Sequence, residues 1–285
     1  MNPTSASSQA GSHLRCSVLD GSCSTRSDHE LPDARPQRPM REALPASSHS
    51  VSHPAKTSAA GSIRSVMLAG QAGRIEAVLN LGAADAPFAA LVCHPHPIFG
   101  GTLHNKVVYH AMKALNDPIW GLGWPVLRFN FRGAGLSEGV HDGEAETGDV
   151  LAALDWLAKE FQRPLIVTGF SFGAAMALHA CSEIESSRTA GGPHHDLRAL
   201  VALGLPMQVP GRAYNYSFLR NLTIPKLFVS GDRDQFASPA QLTAVAASTA
   251  EPRRLIVILG ADHFFSGQLE PMQRAIAGWL KEQLL

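Results

Sequence analysis

From Ile63 onward the apolar residues fall into two alternating patterns. One is the short continuous run, of which Phe88–Cys93 is the clearest example; such a run suits a strand buried on both faces. Val126–Phe131, Leu165–Thr168, Ala199–Leu203, Lys226–Val229 and Arg254–Leu259 are read as further strands. The other pattern spaces apolar residues three and four apart. It covers Leu103–Leu115, where Val107, Val108, Ala111, Met112 and Leu115 form one stripe. Further helices are read over Glu144–Phe161, Phe172–Cys181, Pro239–Ala247 and Leu269–Leu284. Ahead of these, Arg64–Leu68 and Arg74–Leu81 read as two strands around a turn at Gly70–Gly73, an antiparallel hairpin at one sheet edge. Strands alternating with helices predict an α/β domain over residues 63–285, with a mainly parallel central sheet and helices on both faces. The stretch Leu205–Pro225 has room for a long loop or one short helix, and no large cap domain is expected.

Residues 1–62 differ in kind. They carry fourteen Ser and six Pro and no Phe, Tyr or Trp. Such a stretch cannot bury enough apolar area to offset its ordering entropy, so a disordered low-complexity tail is expected. It lacks the apolar core of a secretory signal, and its five acidic residues (Asp20, Asp28, Glu30, Asp33 and Glu42) weigh against an organelle transit peptide. The expected location is therefore the cytoplasm, with organelle transit the weaker alternative. Across the 285 residues, 24 Lys and Arg balance 24 Asp and Glu. Zero net charge argues against a nucleic-acid partner and against a polybasic membrane patch. No run approaches the roughly 18 apolar residues of a membrane span. Four cysteines are too few and scattered for a disulfide framework. Oligomeric state is not readable from these features.

In open α/β sheets chemistry sits beyond the carboxyl ends of the strands. Three of those ends carry reactive side chains. Gly169-Phe170-Ser171-Phe172-Gly173 follows one strand and precedes a helix of small residues. This G-x-S-x-G pattern, between strand and helix, projects a serine hydroxyl from a sharp turn and aims helix N-terminal amides at the site. A serine hydroxyl needs a base near neutral pH. Ser230–Asp234 follows a second strand and Gly260–Phe265 a third, giving the order Ser171, Asp234, His263. His263 would take the serine proton and return it to the leaving group, while the aspartate would fix the imidazole tautomer. Asp234 is the chosen acid, and Asp232, nearer the strand end, is read as stabilising its loop.

A tetrahedral intermediate also needs two hydrogen-bond donors. One is the amide of Phe172. The other falls in the loop Cys93–Gly101, where Pro95 and Pro97 have no N–H to give. The His96 amide is the first choice and Ile98 the second. His94 and His96 could instead be two metal ligands, but no second pair has ligand spacing, so no metal is expected. His194-His195 lies in a Gly/Pro stretch and is read as exposed. Arg128 and Arg132 are read as structural, paired with acids such as Asp142 or Glu144; recognition of a substrate carboxylate or phosphate is the alternative. Tyr214, Tyr216, Phe218 and Leu219 are candidates to line an acyl pocket.

Together, His94-Pro95-His96-Pro97 with Gly100-Gly101 and Asn105-Lys106-Val107, Arg128–Gly133 with Gly135 and Ser137, Gly169–Gly173, Ser230–Asp234 and Asp262–Phe265 resemble the α/β-hydrolase superfamily. The resemblance covers the chain from about Ile63 to Leu285. It lies near the small bacterial serine hydrolases of the dienelactone hydrolase group, whose proper members use a cysteine where this chain has Ser171. It implies the α/β-hydrolase fold and a serine hydrolase acting on a carboxylic ester or thioester, a small-molecule acyl substrate, without organic cofactor. A peptidase or amidase using the same residues, and a binding protein keeping the fold without turnover, are the alternatives.

Overall fold

A computed structural model describes residues 62–189 and 195–285. The tail expected over residues 1–62 lies, but for Ser62, outside the described residues, as does His194. The expected hairpin is present: β1 (Ile63–Gly70) pairs antiparallel with β2 (Gly73–Asn80). β2 then pairs antiparallel with β4 (Val126–Phe129), and every further pairing in the sheet is parallel. With β3 (Ala89–Cys93), β5 (Leu165–Phe170), β6 (Leu197–Leu203), β9 (Lys226–Gly231) and β10 (Arg253–Ile258), the order is β1-β2-β4-β3-β5-β6-β9-β10. A separate two-stranded ribbon joins β7 (Gln208–Val209) to β8 (Arg212–Ala213).

Strand periodicity divides the core into two layers. In β3, Ala89, Leu91 and Cys93 face the layer that holds α2 (Glu146–Phe161), α3 (Phe172–Thr189) and α4 (Pro239–Ser248). Ala90 and Val92 face the layer of α1 (Lys106–Asn116) and α5 (Leu269–Leu284). Both faces of β3 are therefore covered, which is why its sequence is apolar throughout instead of alternating. Full burial of a side chain such as Leu91, 0% exposed, contributes roughly 1.5–3 kcal/mol.

Element ends differ from the periodic reading where local hydrogen bonds decide. α1 starts at Lys106, three residues after the predicted start, because the Asn105 side chain caps it by accepting from Val107 N. β4 stops at Phe129 because the Phe131 amide donates to the His94 ring, 2.9 Å, and so leaves the ladder. α3 runs to Thr189, well past the predicted Cys181, with Ile184 anchoring the added turns in the core. Leu205–Pro225 holds the β7–β8 ribbon and a 3-10 helix, Ser217–Asn221, so among the described residues no cap domain covers the sheet's carboxyl edge.

The arginines of the β4 loop are structural, with partners other than those expected. Arg132 forms a bidentate pair with Asp149 of α2, not with Asp142 or Glu144; the shortest contact is 2.7 Å and both side chains are buried. Asp149 also accepts the Arg132 amide, at 2.9 Å. Asp142 is instead used locally, accepting from the amides of Glu144 and Ala145. Arg128, 4% exposed, donates to Leu103 O and to Asn80 Oδ1. Removing one partner of a buried pair leaves an uncompensated charge. Asp149→Ala is expected to lower unfolding free energy by about 3–5 kcal/mol in urea titration; a loss near zero would show that the pair does not hold the β4 loop onto α2.

Candidate active site

Ser171 sits between the last residue of β5 and the first of α3, with φ +56°, a left-handed conformation uncommon for a side-chain-bearing residue. Its amide donates to Leu203 O of β6, 2.8 Å, and its carbonyl accepts from Ala174 N, so both sides of the turn are tied. Close packing explains the flanking glycines. A Cβ on Gly173 would lie 2.6 Å from Cys93 O, with His94 O closer still; one on Gly169 would lie 2.6 Å from Ala174 Cα. Nothing larger than hydrogen fits at either position while the helix seats on the end of β3.

The sheet topology brings two distant loops to this turn. His263, in the loop after β10, is 2% exposed. Its Nε2 lies 3.0 Å from Ser171 Oγ, and its Nδ1 lies 2.8 Å from Asp234 Oδ2. Asp234, in the loop after β9, also accepts from Phe236 N at Oδ1 and from Ser230 Oγ at Oδ2. These donors orient the carboxylate before the imidazole reaches it. Asp232 is engaged elsewhere, accepting from Gly260 N at 2.7 Å and tying the β9 loop to the end of β10. The His263 ring is walled by Phe170, Phe236 and Phe264, at 5.0, 4.6 and 5.2 Å between centroids.

Comparison with known proteins places this geometry. Residues 105–275 match the family model described as an alpha/beta hydrolase domain. The chain belongs to the α/β-hydrolase family. An uncharacterized protein of Rickettsia prowazekii (strain Madrid E) is 35% identical over 221 residues, 74% of this chain and 86% of that protein. A crystal structure from Xanthomonas campestris, described as an α/β serine hydrolase without lid, is 29% identical and aligns with TM-score 0.66 over 77% of this chain and 94% of its own. An α/β serine hydrolase homologue from Coxiella burnetii is 30% identical, with TM-score 0.65 over 76% of this chain and 97% of its own. The chain is thus a hydrolase, and its fold is the α/β-hydrolase fold expected from the motifs.

The site of this α/β hydrolase opens into a cleft of about 220 Å³ beside Ser171. Phe99, Phe172, Tyr214, Phe236 and Phe264 line it, together with His96 and His263. Of the four residues expected at an acyl pocket, only Tyr214 lines the cleft. Tyr216 is buried with its hydroxyl donating to Pro206 O, Leu219 is in the core, and Phe218 packs on His179. Phe236 and Phe264 carry no motif of their own, although each lies within two residues of Asp234 or His263 and so had to arrive with them.

The β3 loop is fixed by a neutral imidazole. His94 Nε2 accepts from Phe131 N, so the ring proton sits on Nδ1 and points at Pro95 O, 2.6 Å away. Burial pushes this imidazole down to about 3, against the smaller upward pull of the Pro95 carbonyl. With one nitrogen accepting and the other protonated, His94 has no lone pair left for a metal ion. Burial, followed by the neighbouring His141 and Arg212, pushes His96 down to about 4. Both rings are uncharged at neutral pH. His195, expected exposed, has its ring largely buried, with Nε2 2.7 Å from Asp155 Oδ1. Cys93 and Cys181 are buried and free, and burial pushes both thiols up, which keeps them from acting as thiolates. No helix among the described residues is long and apolar enough to cross a membrane.

The tight seat of α3 has a measurable consequence. Gly173→Ala drives a methyl into the Cys93 and His94 carbonyls, which cannot give way as a side chain would, and is expected to cost about 1–3 kcal/mol in stability. Thermal unfolding unchanged from wild type would show that the elbow has slack.

Proposed function

We propose that this hydrolase cleaves a carboxylic ester or thioester by two acyl transfers through Ser171, within a catalytic domain spanning residues 63–285. The observation that carries the proposal is the continuous Asp234–His263–Ser171 chain, 2.8 and 3.0 Å at its two links. Ser171 Oγ attacks the substrate carbonyl carbon while its proton passes to His263 Nε2. Asp234 accepts a hydrogen bond from Nδ1–H throughout, holding the tautomer that leaves Nε2 free and stabilising the imidazolium. The tetrahedral intermediate collapses, His263 gives its proton to the departing alkoxide or thiolate, and alcohol or thiol leaves. Water then gives a proton to His263 and its oxygen attacks the acyl-serine. Collapse releases the carboxylic acid, and the Nε2 proton returns to Ser171.

The oxyanion would be held by the amides of Phe172 and His96. Both residues line the cleft beside Ser171, and among the described residues no backbone carbonyl takes up either amide. Ile98, the other candidate donor, is 71% exposed and does not line the cleft. Each donor is worth roughly 3 kcal/mol of barrier lowering. An orienting role for Asp234 is supported by its burial and its two further donors, whereas Asp232 is engaged by Gly260 N.

A fluorophosphonate probe is expected to label the wild-type chain and not Ser171→Ala; labelling that survives the substitution removes Ser171 as nucleophile. On an ester, thioester and amide panel, the first two are expected to turn over well and the amide poorly. Asp234→Asn should lower kcat by about four orders of magnitude, because the imidazole then presents the wrong nitrogen. Asp232→Asn should change kcat far less, and the reverse ranking would assign the acid to Asp232.

A further inference from the structure

The cleft beside Ser171 is neutral as well as apolar. Its lining contains no Asp, Glu, Lys or Arg, and His96, its one titratable wall besides His263 and Tyr214, is held uncharged. The two arginines that are candidates to read a substrate anion are already engaged: Arg128 by Leu103 O and Asn80, Arg132 by Asp149. Arg212 lies over the ring of Tyr214 at 4.8 Å and that of Phe172 at 6.0 Å, with its Nη1 donating to Gly143 O. It lines no part of the cleft. Asn105 does, but its Oδ1 is committed to capping α1. At about 220 Å³ the cleft is also smaller than the ~300–1,000 Å³ of sites that hold drug-sized ligands. Its mouth is open and flanked by Phe99 and Phe264, which are 71% and 49% exposed.

We propose that the substrate is an uncharged ester or thioester with a compact apolar acyl group, and that the cleft rejects acyl groups carrying a carboxylate. This rests on the serine-hydrolase reading and adds the substrate class to it. An anion drawn into aromatic walls loses its hydration and touches no cation among the lining residues; the charge of Arg212 reaches it only across the rings of Tyr214 and Phe172. Each methylene that enters adds apolar burial until the space is filled.

The test uses the wild-type protein with p-nitrophenyl acetate, propionate, butyrate and dodecanoate, and with p-nitrophenyl hemisuccinate as the anionic match to butyrate. kcat/KM is expected to rise about 4-fold per methylene to butyrate and to fall again by dodecanoate. Hemisuccinate should be slower than butyrate by at least ~100-fold. Hemisuccinate turned over as fast as butyrate overturns the inference, and its selective loss in Arg212→Gln would identify the cation that reads it. Dodecanoate preferred over butyrate overturns the compact-acyl part. Fluorophosphonate labelling of Ser171 in the same preparation separates the two levels: labelling with the wrong selectivity sinks only the substrate class, and no labelling sinks the hydrolase mechanism itself.

A second inference comes from buried groups that the mechanism leaves unused. The rings of His96 and Phe172, the two residues proposed to supply oxyanion amides, pack together at 4.9 Å between centroids. His141 closes a triangle with them, 4.6 Å from His96 and 5.4 Å from Phe172. His141 Nδ1 in turn lies 2.6 Å from Oε1 of Glu146, a carboxylate with no exposed surface. Glu146 Oε1 also takes the Asp142 amide, while Glu146 Oε2 and His141 Nδ1 make no hydrogen bond among the described residues, so the His141–Glu146 contact is a close approach and not a formed hydrogen bond. A buried carboxylate left half-satisfied is costly, so its retention calls for a compensating role. We infer that His141 and Glu146 are positioning residues that hold the two oxyanion donors at a fixed separation, a role that also rests on the serine-hydrolase reading.

His141→Ala is expected to lower kcat on p-nitrophenyl butyrate by about 10-fold or more, with KM within a few-fold of wild type. Affinity for phenylboronic acid, which engages the same donors as a tetrahedral adduct, should fall in step with kcat. Glu146→Ala should behave alike, and Glu146→Gln, which keeps a hydrogen-bonding side chain, should recover most of the loss. A change confined to KM, or boronate affinity unmoved while kcat falls, overturns the inference. If the alanine variants do not fold, Glu146→Gln with wild-type stability and a kcat as low as that of a donor deletion overturns it too.

Discussion

One steric constraint organises the functional end of this molecule: the first turn of α3 lies directly against the last carbonyls of β3. The contact leaves no space for a Cβ at Gly173, whose added atom would come within 2.6 Å of Cys93 O. Because the helix is seated this closely, the turn into it is sharp, and Ser171 takes a left-handed conformation with its hydroxyl above the sheet. The same contact sets the β3 loop beside the helix N-terminus, so His96 and Phe172 become neighbours. The reach of His263 and the walls of the cleft are both measured from that seat.

Around this point charge is removed or neutralised. His94 and His96 are uncharged, and Arg132 is paired with Asp149. The hydrogen-bonded chain through His263 lies in a low-polarity enclosure made by Phe170, Phe236 and Phe264. In such surroundings electrostatic interactions are stronger than in water, and fixed dipoles need little reorganisation when charge develops. The site achieves this without a cap: the segment with room for one forms a short ribbon and a 3-10 helix, and contributes Tyr214 and Pro210 to the cleft. Its mouth stays open as a result, and the solvent-facing Phe99 and Phe264 mark it.

The features legible in the sequence are those written in contiguous residues. Five neighbouring positions encode the elbow, because its strain and its close approach both act within one turn. The central strand β3 is visible because both its faces are covered and every position is apolar. Asn105 shows the limit of periodicity: the stripe begins ahead of the true start of α1, and a side-chain cap decides the boundary. Arg132 shows a second limit. The acids nearest to it in sequence include Asp142 and Glu144, but Asp149 is the carboxylate that α2 turns inward once the helix packs on the sheet. Sequence alone leaves Tyr216 between an acyl pocket and the core and puts His195 in solvent; packing buries Tyr216 and most of the His195 ring.

The sequence by itself determined the succession of strands and helices, the face each strand alternately presents, and the reactive side chains at three strand ends, since all of these follow from local sterics and periodic burial. Only the tertiary structure decided which side chains meet. The approach of His263 to Ser171 spans 92 positions of chain and that to Asp234 spans 29. The triangle of His96, Phe172 and His141 joins two separate loops to the first residue of α3. Contacts of that kind depend on how sheet order and helix packing place whole elements, and no local pattern of residues records the outcome.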